Sequence, residues 1–183
     1  LLFYRRFKKG GLNQADSTAM FTRYTLRALT VDQFNRLATM VVCAEFIRRK
    51  ELGISKNSDI KNSFSIGLYL GGGSTPNVIN ETIGGSNSNT NNDWKNIYTE
   101  CPCCKTKMKW ELHGKNWNLT HPIDTKECEL ASLLKIFPVK VIDEEIYKNP
   151  PSVLIGTIDK FVQIFRKPHL VKNLFGLKDG LDT

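Results

Sequence analysis

Cysteine is scarce in this chain, five among 183 residues, and the count is odd and unevenly spread. That excludes the dense, paired framework of a small secreted disulfide protein and fits a reducing compartment, so the expected location is cytoplasmic. No apolar run is long enough to span a bilayer. The opening LLFYRRFKKGG puts its basic cluster after the apolar pair, the reverse of a signal peptide. A phosphate-binding loop is missing too. GGGST at 71–75 has the glycines but not the lysine that reaches the phosphates, and no other stretch supplies it. Internal repeats are absent as well.

What is present begins with charge. A formal +8 and a pI near 9.3 favour an anionic partner, of which nucleic acid is the commonest for a protein with no membrane segment. With 40% hydrophobic and 24% charged residues, the length suits one ordinary core and a small appendage. The chain begins on leucine and closes on LKDGLDT without a finishing element, which suggests a piece of something longer.

The segment TAMFTRYTL reads as a short strand. A helix is expected from about Val31 to Leu52, opened by a capping box of Thr30 and Gln33. Phe34, Leu37, Ala38, Val41 and Val42 form its buried stripe, and Arg48, Arg49 and Lys50 complement the dipole before Gly53. FSIGLYL is a second strand ending at Gly71, Gly72 and Gly73, followed by an Asn-, Ser- and Gly-rich tract over 74–96 read as a flexible loop. ASLLKIF reads as a short helix, VKVID as a strand, and SVLIGTIDKFVQIF as a strand turning at Gly156 and Thr157 into a helix. The alternation implies an α/β fold with a parallel sheet interrupted by an insertion. Cys43, on the apolar face of the long helix, is read as core packing.

The stretch TECPCCKTKMKW carries the sharpest chemistry. Cys101 and Cys104 have C-x-x-C spacing, in which a tight turn lets two thiolates share one tetrahedral zinc. Cys128 offers a third sulfur, and the fourth donor is His121, His113 or Cys103. His121 is preferred because HPIDTKEC pairs it with Cys128 on one loop, whereas His113 lies in KWELHGKNW, the hairpin joining the two halves. The expected site is Cys101, Cys104, His121 and Cys128 around a structural zinc that folds the insertion and does not activate water. Free thiols and a turn histidine are the plain alternative.

FTRYTLRALTVDQFNRLA and PPSVLIGTIDKF resemble segments of the first RecA-like domain of superfamily 2 helicases. The strand ending in Thr-Arg with RAL…DQ…RL is similar to motif Ia, Gly-Thr-x-Asp-Lys-Phe to a turn that touches the nucleic-acid backbone, and SIGLYLGGGSTPN to the intervening Gly-Gly element. In fuller form, these segments in order, with a C-P-x-C insertion and VIDEEIY, resemble the helicase-related component of DISARM anti-phage systems across about residues 18 to 166. The resemblance implies a partial RecA-like parallel sheet: residues 1–97 as its first part, 98–129 as the zinc-binding insertion, and 130–183 as its continuation. Thr22, Arg23, Arg27, Gly72, Gly73, Thr157 and Lys160 are then the nucleic-acid-binding candidates, because the carboxyl edge of a parallel sheet is where loops meet phosphates. The bland reading is that Arg27 and Lys160 are solvated and that the glycines only end a strand.

VKVIDEE has the apolar strand and Asp-Glu pair of a Walker B motif, which would set Asp143 on magnesium and Glu144 on the attacking water. In such helicases that motif follows the Gly-Thr-x-Asp turn; here it precedes it, so the segment reads as an acidic loop leaving a strand. No catalytic residue is assigned. ATP and magnesium belong to a complete parent motor, which would act on nucleic acid, with DNA the expected track, beside other defence-system subunits. The rival from another class is a non-catalytic zinc module binding nucleic acid or protein.

Overall fold

The structure, a computed structural model, describes residues 1–8, 17–55, 62–71, 74–79, 92–122, 128–166 and 168–176. Helix α1 (Leu2–Lys8) precedes strand β1 (Met20–Tyr24), the long helix α2 (Arg27–Leu52) and strand β2 (Ile66–Tyr69). A 3₁₀ turn at Asn92–Asn96 leads to the hairpin β3 (Lys109–His113) and β4 (Asn116–Thr120). Then come α3 (Glu129–Leu133), β5 (Ile136–Phe137), β6 (Val139–Lys140), α4 (Asp143–Lys148), β7 (Val153–Thr157), α5 (Ile158–Arg166) and α6 (Pro168–Phe175).

Four strands form a parallel sheet in the order β1-β7-β2-β6. The two central strands, β2 and β7, are buried at every position, as a sheet covered on both faces requires. Ile66, Leu68, Val153 and Ile155 face a core shared with α2, while Tyr69 and Leu154 face a second cluster with Ile146, Ile164 and Leu174. Gly156 is fixed by close approach: a Cβ there would lie 2.4 Å from the Tyr69 carbonyl oxygen. The expected α/β architecture is thus present.

Helix α2 departs from expectation at both ends. It begins at Arg27, and its N-cap, Leu26, makes no side-chain cap bond. The Thr30 hydroxyl instead donates back to the Leu26 carbonyl at 2.8 Å from inside the helix, so the expected capping box does not form. The stop is as anticipated: Gly53 is left-handed at φ 63°, and its N–H and that of Ile54 reach back to the Lys50 and Arg49 carbonyls. Arg48 and Arg49, however, are not solvated dipole partners. Both are buried on the fully buried carboxylate of Glu45, which accepts from Arg48 Nε and Nη2, Arg49 Nε and the Phe64 backbone N–H at 2.8–2.9 Å.

The insertion is a second, antiparallel sheet in the order β3-β4-β5, with Gly114 at φ +64° in the hairpin turn. ASLLKIF divides into the end of α3 and strand β5, so this small sheet extends past residue 129. Its interior is continuous with the main one. Trp94, Tyr98, Cys101, Met108, Leu119, Cys128 and Phe137 join the cluster that α2 and the parallel sheet build. The tract expected to be a flexible loop over 74–96 is anchored at its described ends. Thr75 and Ile79 are buried after β2, and Trp94 is 1% exposed in the 3₁₀ turn. Gly72, Gly73 and residues 80–91 lie outside the described residues. No helix among the described residues is long and apolar enough to cross a membrane.

Candidate functional site

The four expected ligands converge. The donor atoms of Cys101, Cys104, His121 and Cys128 all lie within 4.8 Å of one another, although 27 residues separate the first from the last. A tight turn makes the first pair. Lys105 N–H bonds the Cys101 carbonyl at 2.9 Å, Cys101 N–H bonds the Thr106 carbonyl at 3.0 Å, and Lys105 takes a left-handed φ of 61° to close the loop. The amides of Cys103 and Cys104 point at the Cys101 sulfur, the polarity a metal-bound thiolate needs. Strand β4 delivers His121 at its end, and Cys128 stands at the start of α3. His121 lies flat against the Phe137 ring, at an interplanar angle of 20°.

Cys101 Sγ and Cys128 Sγ are 3.7 Å apart, and Cys104 Sγ is 3.2 Å from His121 Nε2. Zinc–sulfur bonds of about 2.3 Å at tetrahedral angles put two sulfurs about 3.8 Å apart, so the first spacing matches a shared ion. None of the five cysteines is in a disulfide. Burial pushes the Cys101 and Cys128 thiols up, Cys128 to about 12, while the Thr106 hydroxyl and then His121 hold Cys104 down at about 6. A divalent cation would bring all three to thiolates, and the donor set fits zinc. The alternatives fall away on position. His113 is exposed on the hairpin with its ring 3.3 Å from Glu111, and Cys103 is exposed outside the cluster.

The carboxyl edge of the parallel sheet holds most of the other expected residues. Strands β1 and β7 are neighbours, with Arg23 opposite Gly156 and Tyr24 opposite Thr157. Residues more than 130 positions apart in the chain therefore share one edge. Thr22 is half-buried beside the exposed Arg23, and Thr157 is buried. Arg27, exposed in the first turn of α2, donates to Ser74 Oγ at 3.4 Å at the mouth of a cleft of about 270 Å³. Leu70, Asp93 and Ile97 also line this cleft, behind the end of β2.

Lys160 has a different setting. It is 4% exposed, and its ammonium sits 2.5 Å from Asp143 Oδ2, 3.0 Å from Asn77 Oδ1 and 5.0 Å from the centre of the Tyr69 ring. Asp143 and Glu144 are likewise not a loose acidic loop; they open α4. Their amides take the Pro76 and Asn77 carbonyls, and Glu144 Oε2 accepts from Ile79 N–H at 3.0 Å. The loops after β2, β6 and β7 are thus tied together at the sheet edge. Sequence reading treated these residues one at a time, and the signal for their pairing was only that each follows a strand of one parallel sheet.

No family model matches the chain. It is 29% identical over 187 residues to the DISARM protein DrmA of Bacillus paralicheniformis, a likeness covering 90% of this chain. The chain spans about 16% of the length of that curated relative. A likeness along nearly the whole chain supports a DISARM-related protein.

Proposed function

We propose that this chain is the nucleic-acid-contacting part of a RecA-like domain in a helicase-like, ATP-dependent phage-defence protein, with a structural zinc bracing its insertion. The observation that carries the reading is the pairing of β1 with β7. It sets the Thr22-Arg23 strand end beside the Gly156-Thr157 strand end on the edge where a parallel sheet offers amides, hydroxyls and cations to phosphate. The likeness to a DISARM protein supports the defence role. Arg23, Arg27, Thr22 and Thr157, with Gly72 and Gly73, are the proposed backbone contacts. Lys160 acts from within, holding the turn after β7 onto the loops after β2 and β6. DNA is the proposed track, ATP and magnesium are needed only by the complete motor, and other defence subunits are its proposed company.

Contacts to backbone predict binding that weakens with salt and hardly depends on base sequence. In the complete protein, Arg23→Ala combined with Thr157→Ala should lower nucleic-acid-stimulated ATP hydrolysis and leave the unstimulated rate nearly unchanged. Losing the Arg23 cation should make the salt dependence of binding shallower by roughly one unit of log–log slope, while the neutral Thr157 should not change it. Equal stimulation in wild type and double variant would leave the zinc-braced insertion, as a binding module, the better account.

A further inference from the structure

The insertion carries an aromatic cluster with no part in the metal centre. Trp94 packs edge-on against Trp110 and Trp117, with ring centres 5.5 and 5.3 Å away. Trp94 is fully buried, but Trp110 and Trp117 are only partly buried on the apolar face of the hairpin, where Trp117 stands opposite Leu112, itself 38% exposed. Over the Trp117 ring lies the ammonium of Lys95, 4.4 Å from its centre. The cluster is not finished as a core would be. The indole N–H groups of Trp94 and Trp110 are buried with no acceptor among the described residues.

Position ties this cluster to the sheet edge. Trp117 N–H donates to Glu145 Oε1 at 2.7 Å, which fastens the hairpin to α4, directly after β6. From β1 to β6 is three strand spacings, about 14 Å. A strand lying across the carboxyl edge from Arg23 therefore runs toward the hairpin. A partly buried indole beneath a lysine ammonium has both parts of a single-strand contact, a flat apolar surface for a base and a cation for its phosphate.

We propose that Trp117 and Lys95 form a stacking site for one unpaired base of a nucleic-acid strand, the Lys95 ammonium moving from the indole to the adjoining phosphate. The assignment rests on the nucleic-acid reading above and adds what that reading lacks, a contact to a base. It is sequence-tolerant, since every base offers a face to stack.

The test compares a labelled oligothymidylate with a strand of equal length and charge in which abasic sites replace the bases, by fluorescence anisotropy on protein purified without chelator. Wild type should bind the base-bearing strand about 5- to 150-fold more tightly. Trp117→Leu should erase that preference, Trp117→Phe should keep most of it, and Lys95→Met should weaken both strands while keeping the preference. Metal content should be unchanged in all three. Equal binding of the two strands by wild type overturns the stacking site and leaves the backbone contacts standing, whereas no binding of either overturns both. A preference that survives in Trp117→Leu overturns the assignment to this indole. Should that variant fail to fold, the wild-type comparison and Trp117→Phe still decide.

Discussion

Replacing Glu45 by Gln tests whether the end of α2 is fastened to the sheet as described. The carboxylate is fully buried and holds two buried guanidinium groups, Arg48 by both oxygens and Arg49 by one, while its fourth bond takes the Phe64 N–H two residues before β2. Glutamine keeps the shape, but it removes the carboxylate charge from both arginines and turns an N–H₂ toward a group that can only donate. Breaking a buried ion pair from one side costs about 3–5 kcal/mol, because the remaining charge is stranded away from water. Against a total stability of about 5–15 kcal/mol that is a large fraction. At roughly 2–4 °C per kcal/mol for a chain of this size, the midpoint should fall by about 6–20 °C.

Urea and thermal unfolding would measure the loss, with Glu51→Gln, on an exposed position of the same helix, expected within about 0.5 kcal/mol of wild type. The combination Glu45→Leu, Arg48→Met and Arg49→Met separates the charge from the packing. Removing all three charges should recover most of the loss, leaving the roughly 1–3 kcal/mol of an orphaned Phe64 N–H. A cost below about 1 kcal/mol for Glu45→Gln would refute the reasoning, since it would mean that water reaches both guanidinium groups.

Metal analysis should find one zinc per chain in protein purified without chelator, and Cys104→Ser should lose it; a normally folded, metal-free wild type would sink the centre. Lys105→Gly should stabilise the apo and loaded forms by up to about 1 kcal/mol in urea titrations, because a lysine at φ 61° carries a strain that glycine does not. Glu144 is held below its ordinary value of 4.5 by Lys148 and then by the Ile79 N–H, so its folded-state value is the depressed one. Its contribution should be fully present above about pH 5 and be lost as pH falls through the lower value. The stability gap between wild type and Glu144→Gln should therefore be flat near neutrality and close in acid, and a gap that widens in acid would contradict the assignment.

The parts of this fold that were legible in sequence are those that short-range spacing encodes. Phe34, Ala38, Val41 and Val42 recur at helical intervals and are buried, and Val153 to Thr157 is an apolar run between a Pro pair and a helix. The four candidate ligands could be preferred because C-x-x-C fixes half a site and the hairpin signal in KWELHGKNW disfavoured His113 for the other half. Long-range pairing of polar residues was not legible. Glu45, Arg48 and Arg49 have the spacing of a solvated helix face, and nothing local says that Phe64 will present an amide to that carboxylate. Trp94 was hidden by the polar tract around it, though an indole in an Asn-rich segment was itself the signal of an anchor. Thr30 has the composition of a cap, but Arg27 to Leu29 extend the helix before it, and its hydroxyl turns back on Leu26.

One contact, Lys160 with Asp143, bears on two sequence motifs at once. Read singly, the lysine of GTIDKF resembles a phosphate ligand and the aspartate of VIDEE resembles a metal ligand. Together they form a buried pair closed further by Asn77 and the Tyr69 ring. Each side chain is about nineteen-twentieths buried, and extracting either one for an outside ligand would strand the other at a cost of several kcal/mol. The pair therefore favours shape over direct contact. It fixes the turn after β7 against the loop after β2, beside the strand end that carries Arg23. On the proposed reading, exposed Arg23 and Arg27 make the contacts and buried Lys160 sets their position, and an edge whose loops are already ordered loses less on binding.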